Sequence, residues 1–487
     1  MCSCAHQRSE PRSDRAVPVL AATHHAAFPG TWRNAGFAVG IASVRIVALL
    51  GTVALVGCSG VPSREEKSAR TEMRATGAEL LAQEGRPALP ELRPASPPEE
   101  FVRYAVLNHP AVIAAYYDWR ASIEDIVTAR SPLDPQFTFQ ADITDTLTSF
   151  MPGIMFNFMG SGKRSAMGRE ATAASGVARR DYISTVLKTA AETRNAWIEL
   201  AYVDEAVRLN EMSLGALERS LAIADANYST GLGMGTLADQ VRIANDLAKM
   251  KSGLRALGDR RTAARARFKA ALGLGPADAD PVWPTAELFA TTLPDPDALW
   301  ARASAANPEL AKMRSMLEMA AAGAEVAGRA GQPDFSLGAM VDLKTNPLLF
   351  RPLGTLTLPI WRDKIAAVAA AADARRNAGL ARVSTEQLSL EAELAQMLFM
   401  VSEADRMIAY IEQDALPNFD RSIATAEAAY QSGSATSSMI PETQVMALAM
   451  RLERAGALRD RETAVTSLML MTADIAPTGS PVPGTTP

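Results

Sequence analysis

PQFTFQADI (135–143) and PDFSLGAMV (333–341), 198 residues apart, decide how this chain is read. In each, a proline opens a run whose alternate residues are apolar: Phe137, Phe139, Ala141 and Ile143 in the first, Phe335, Leu337, Ala339 and Val341 in the second. The residues between are Gln136, Thr138, Gln140 and Asp142, then Asp334, Ser336, Gly338 and Met340. Alternation with period two predicts a strand with one apolar and one polar face. Its return at a fixed offset predicts a duplicated chain.

The duplication extends on both sides. Upstream, Asn108-His109-Pro110 and Asn307-Pro308 are helix starts with proline at the first helical position. Downstream, Ile154, Phe156 and Phe158 match Leu356, Leu358 and Ile360 at an offset of 202, predicting a second strand in each copy. The same offset carries Tyr228 onto Tyr430 and Gly231 onto Gly433. Between strand and tyrosine lie roughly 65 residues, broken by proline only at Pro417 in the second copy. There Val383, Leu390, Leu394, Met397, Val401, Ile408 and Ile411 advance as a helical stripe of coiled-coil type. Such a helix is on the order of 100 Å long. Glycine then lets the chain turn, and returning helices are expected over 236–272 and 438–473. Each copy therefore reads as short helix, strand, strand, very long helix, turn, returning helix.

Composition limits the chemistry. Hydrophobic residues make up 48% and aromatics 6%, which suits long, alanine-rich helices. The cysteines are Cys2, Cys4 and Cys58, and beyond residue 58 the one histidine is His109, read as a helix cap. Disulfide, metal and histidine-based hydrolytic chemistry are thereby argued against in the main body, and no cofactor or enzymatic role is expected. Gly160-Ser-Gly162-Lys163-Arg164 fails as a phosphate loop, because Asn157 stands at the first glycine position and Arg164 after the lysine. Met151, Met155, Met159, Met446 and Met450 read as packing residues rather than soft-metal ligands.

The beginning of the chain reads as targeting sequence. Arg45 precedes an apolar run, Ile46 to Val56, too short to span a bilayer but suited to a signal peptide. Leu55-Val56-Gly57-Cys58 resembles a bacterial lipobox, which implies cleavage before Cys58, its acylation and, with Ser59 next, sorting to the outer membrane. The polar residues 1–40 suggest translation starting near Val39 or Val44. Without residues 1–57 the chain holds 44 basic and 52 acidic residues (49 less 5, and 54 less 2), a net charge of −8 that argues against nucleic acid as a partner. The expected layout is 1–57 signal, 58–100 lipidated linker, 101–282 first repeat, 283–475 second repeat and 476–487 disordered tail.

Over residues 101–475 the order of these pieces is similar to the TolC-like outer-membrane efflux family. The Asn-Pro helix starts, Gly162-Lys163-Arg164, Leu416-Pro417, Tyr228-x-x-Gly231 and Tyr430-x-x-Gly433 carry the resemblance. It implies a mostly α fold with a small membrane β-barrel. Three subunits would give four strands each to one 12-stranded barrel, above a periplasmic α-helical tube. Physics points the same way: strand edges must be paired in lipid, and four strands are too few to close. Phe137, Phe139, Phe335 and Leu337 would face lipid, and Gln136, Gln140, Asp334 and Asp342 would line water. The resemblance further implies an exit duct in a tripartite efflux or type I secretion system, working with a periplasmic adaptor and an inner-membrane pump. Tyr228, Gly231, Tyr430 and Gly433 would form the adaptor-contacting tip, and Tyr430, Glu442 and Asp239 the aperture. The competing reading is a periplasmic lipoprotein coiled-coil scaffold or adaptor without a pore, which leaves four matched strands unexplained.

Overall fold

The computed structural model describes residues 62–81, 89–143, 147–229, 237–285, 288–431, 439–476 and 481–482. The first repeat comprises α2 (Pro98–Asn108), α3 (Pro110–Arg130), β1 (Gln136–Ile143), β2 (Leu147–Phe158), α4 (Lys163–Ser229) and α5 (Leu237–Ala271), preceded by α1 (Arg64–Leu80). The second comprises α6 (Pro296–Ala306), α7 (Pro308–Gly328), β3 (Phe335–Asp342), β4 (Leu349–Leu356), α8 (Arg362–Tyr410), a π-turn (Ile411–Ala415), α9 (Leu416–Gln431) and α10 (Met439–Met471). The chain is mostly helical with one small antiparallel sheet, as the duplicated pattern predicts.

Proline and a local cap start the short helices. The Nδ1 atom of His109 accepts from the Ala111 N–H at 3.2 Å, and Asn307 Oδ1 accepts from the Leu310 N–H at 2.8 Å. Each satisfies an amide left orphaned by the first turn. The helix α4 runs 67 residues without a break, about 100 Å at 1.5 Å per residue. Its counterpart is α8, the π-turn and α9 in succession. The π-turn lies just ahead of Pro417, which cannot donate to the carbonyl four residues back, and the Leu416 N–H instead reaches Ile411. Leu390, Leu394 and Val401 of the predicted stripe are buried against Val465 and Leu468 of α10. The predicted returning helices correspond to α5 and α10 within one or two residues at each end.

Two expectations are corrected. Residues 58–100 are not simply a linker, since Arg64–Leu80 is helix α1, capped by the Ser63 hydroxyl and seated on α3. Its polar sequence hides how it is held: Glu66, 1% exposed, is paired with Arg70 and Arg130, while Met73 and Leu80 reach the core around Tyr116 and Trp119. The fourth strand is also displaced, spanning Leu349–Leu356, so Leu358 and Ile360 lie beyond it. The cause is its partner: β3 begins after Pro333, and pairing with that side stops where the Thr357 N–H meets the Asp334 carbonyl at 2.8 Å.

A buried ionic cluster joins the repeats. Glu462 of α10 accepts from the Thr291 N–H (2.9 Å) and hydroxyl (2.6 Å) in the inter-repeat segment, and from Arg461 (2.7 Å). Arg194 of α4 reaches Glu462 at 3.6 Å, Glu99 of α2 at 3.2 Å and the Thr291 hydroxyl at 3.1 Å. Arg461 also holds Asp405 of α8 at 2.6 Å.

Candidate functional site

The four strands form one sheet in the order β1-β2-β3-β4, each antiparallel to the next. Registers place Phe137 opposite Ile154, Phe156 opposite Leu337, and Phe335 opposite Leu356. Alternation and register together put the predicted apolar residues that lie within the four strands on one side. That side is open: Phe137 is 74% exposed and Leu337 56%. Phe158 and Phe335 stack on it at 5.1 Å.

The other side carries Gln136, Thr138, Gln140, Asn157, Ser149, Ser336, Asp342, Arg351 and Thr355, interspersed with Met151, Met155 and Met340 and, on β4, with Leu349 and Leu353. On the two central strands this side is crowded, Met151 being 1% exposed and Asp342 2%, while Gln136, Gln140, Arg351 and Thr355 on the edge strands are exposed. The Ser149 hydroxyl donates to Asp342 at 2.9 Å, and the Ser336 hydroxyl to Asn157 at 2.7 Å. Gly153 and Gly338 face Met340 and Met155 across β2 and β3, where a Cβ would come within 2.5 Å and 2.6 Å of the opposing strand's backbone carbonyl. Close approach of the strands explains glycine at both places. Asp334 lies at the end of the sheet, taking the Gly160 N–H (2.6 Å) and Lys163 (2.9 Å), and so ties the start of α4 to β3. The Gly160–Lys163 motif is thus a strand-to-helix junction, with Gly162 at φ +77° making the turn.

At the opposite end, α4 stops at Ser229 and α9 at Gln431, and α5 and α10 return from Leu237 and Met439. Tyr228 sits on the last turn of α4, half exposed. Asp225 accepts from Gln240 at 2.9 Å across the first hairpin. Glu442 on α10 is paired with Arg242 on α5 at 2.5 Å, joining the two hairpins of one chain. Arg242 went unnoticed in the sequence, although the duplication marks it. At offset 202, Glu442 falls on Gln240 and Arg242 on Gln444, so the copies carry complementary charge where they meet. Gly231, Gly433 and Cys58 lie outside the described residues, as do the side chains of Tyr430 and Asp239, which are placed on α9 and α5 by backbone alone.

Among the described residues, no helix is long and apolar enough to cross a membrane, and no group of histidine, cysteine and carboxylate side chains could hold a metal ion.

Residues 299–474 match the family described as outer membrane efflux protein. The fold is that of solved outer-membrane channels. CusC, described by its transmembrane channel formation, is 14% identical with a TM-score of 0.66, covering 80% of this chain and 98% of its own. VceC, an outer membrane protein of Vibrio cholerae, is 17% identical (TM-score 0.62; 78% and 95% covered). The MtrE outer membrane channel of Neisseria gonorrhoeae is 14% identical (TM-score 0.65; 77% and 88% covered). No curated protein sequence matches the chain.

Proposed function

We propose that this chain, whose second repeat matches the outer membrane efflux protein family, is one subunit of a homotrimeric outer-membrane exit duct for efflux or secretion. The observation that carries the reading is the sheet. It has an exposed apolar face, a largely polar face opposite, and two edge strands, β1 and β4, each paired on one side and open on the other among the described residues. Such a sheet is unstable in water and cannot stand in lipid with its edges open. Three copies supply 12 strands, enough to close around a water-filled lumen lined by the polar faces. The 67-residue helix α4 and its counterpart continue that lumen away from the membrane by about 100 Å.

Acylated Cys58 adds a lipid anchor beside the barrel. The hairpin tips, with Tyr228, Gly231, Tyr430 and Gly433, meet a periplasmic adaptor and through it an inner-membrane pump. Tyr430, Asp239 and the Arg242–Glu442 pair narrow the mouth. Planar-bilayer recording of the purified protein tests the reading: stepwise, long-lived conductance is expected. Membrane-inserted protein that conducts no ions would refute it and favour the poreless scaffold.

A further inference from the structure

The two repeats are alike in sequence and unlike in burial. Helix α4 is buried along most of its length, α8 only at Ala372, Gly379, Leu390, Leu394, Val401 and Ala404. Moved by 201 residues, buried Thr189, Thr193, Leu200 and Val203 of α4 fall on buried Leu390, Leu394, Val401 and Ala404. The same shift carries Leu187, 1% exposed, onto Leu388, 69% exposed. It carries Ile198, 2% exposed, onto Phe399, 53% exposed. Within the chain α4 packs on α3 and α5 of its own repeat and also on α7 and α10 of the second, whereas α8 packs on α6, α7 and α10 of its own repeat and, among the described residues, has no comparable contact with the first.

The sheet repeats the pattern. Pairing of β1 with β2 maps onto pairing of β3 with β4 when the first strand moves by 198 and the second by 202: Phe137 opposite Ile154 becomes Phe335 opposite Leu356. The remaining pairing, β2 with β3, sets Ile154 opposite Ala339, Phe156 opposite Leu337 and Phe158 opposite Phe335. Under the same shifts β2 becomes β4, and β3 becomes the β1 of a following repeat. The images are Leu356 opposite Ala141, Leu358 opposite Phe139, and Ile360 opposite Phe137. Leu358 and Ile360 lie past the end of β4, 63% and 66% exposed. Their free groups turn on each other: the Ile360 N–H donates to the Leu358 carbonyl at 2.9 Å, an i to i+2 bond weak enough to exchange. Pro359 lacks a donor, but its position would face the β3 side, where the partner strand has already ended.

We infer that residues 357–360, with the exposed face of α8 below them, seat β1 and the first repeat of a second copy of this chain, Leu358 lying opposite Phe139 and Ile360 opposite Phe137 of that copy. This rests on the channel reading and adds a register to it. Faces agree across the new pair, apolar meeting apolar, which a slip by one residue would destroy. The chain therefore carries its intersubunit register within itself, as the register between its own halves.

Cysteine pairing in the full-length protein tests this. Thr357→Cys with Gln140→Cys places two thiols on the polar face at a directly opposed pair. Thr357→Cys with Thr138→Cys, or with Asp142→Cys, displaces one by two residues, to about 7–8 Å between strand positions. Covalent dimers and trimers are expected to form about tenfold faster from the first pair, given the narrow geometry a disulfide accepts. Single-cysteine variants control for Cys2, Cys4 and Cys58. A photoreactive phenylalanine analogue at position 139 gives a second measurement, with its cross-link expected at 357–359 by peptide mass spectrometry. A displaced pair reacting faster, or trimers by native mass with no cross-link at these positions, would overturn the register and leave the channel reading standing. Protein that is monomeric by native mass and forms no cross-link would overturn both.

Discussion

Replacing Glu462 by alanine tests whether the buried cluster holds the repeats together. Glu462 is 2% exposed and accepts from Thr291 twice and from Arg461, with Arg194 at 3.6 Å. Its loss leaves Arg461 to Asp405 and Arg194 to Glu99, both at the rim, and orphans the Thr291 amide. Breaking one side of a buried ion pair costs about 3–5 kcal/mol, part of which is the orphaned amide rather than an addition to it. A folded unit of roughly 430 residues has an unfolding entropy near 0.9 kcal/mol per kelvin, from about 2.1 cal/mol/K per residue. The expected fall in Tm is therefore about 3–6 °C. The estimate is the same for a cooperative trimer, since cost and entropy both triple. Thermal circular dichroism in detergent, at one scan rate, reads it. Asp460→Ala, which removes a neighbouring carboxylate paired at the surface with Arg459, should change Tm by less than about 1 °C. If Glu462→Ala also stays within 1 °C of the parent, the cluster contributes nothing that its hydrogen bonds suggest.

Leu337→Arg, on the exposed apolar face, should cost about 2–4 kcal/mol near the bilayer midplane and lower the yield of membrane-inserted trimer, while Gln140→Arg on the opposite face should be tolerated; equal losses would mean the faces are reversed. Arg242→Ala should unmask Glu442 in each subunit. Three carboxylates about 10 Å from a passing ion, each worth ~0.4 kcal/mol in water and screened to about a third at 0.1 M salt, predict roughly a twofold rise in cation preference by reversal potential; Glu442→Ala should shift it the other way. Burial alone would raise the Glu309 pKa, but hydrogen bonds from Lys188 and Ser184 outweigh it and hold the carboxyl below its ordinary value. Its contribution is thus complete above the unfolded pKa of about 4.3 and lost as pH falls through the lower folded value, so Glu309→Gln should flatten the decline of Tm below about pH 4.5. Intact-mass spectrometry should find the mature chain starting at acylated Cys58, and an unmodified chain beginning upstream would remove the anchor.

What the sequence disclosed and what it withheld divide along a physical line. Period-two alternation and the offsets of 198 and 202 are local and repetitive, and the strand pairings obey them from Phe137 to Asp142 of β1, up to the register shift before Ile143. The end of β4 was misplaced because a strand stops where its neighbour does, and Pro333 on β3 set that limit. Helix α1 was hidden because its stabilising partners, Arg130 and Tyr116, are remote in sequence. Glu462 looks like any helix-surface acid until Thr291 and Arg194 fold onto it. Glu442 was visible as an acid near the tip, but its charge is answered by Arg242, 200 residues away.

The π-turn ahead of Pro417 absorbs a difference of rotational phase. Above it α8 runs 201 residues behind its twin; below it the tyrosines are 202 apart, because the wider turn takes up one residue. A single residue is about 100° of rotation around a helix axis. The wider turn therefore keeps the lower segment aiming its side chains as the first repeat does, although the chain carries one residue more. Were all five residues of 411–415 wound as regular α-helix, the upper contacts would stay whole and the lower face would swing by more than a quarter turn. Deleting one of them would remove the need for the wider turn and leave both faces in step with the first repeat.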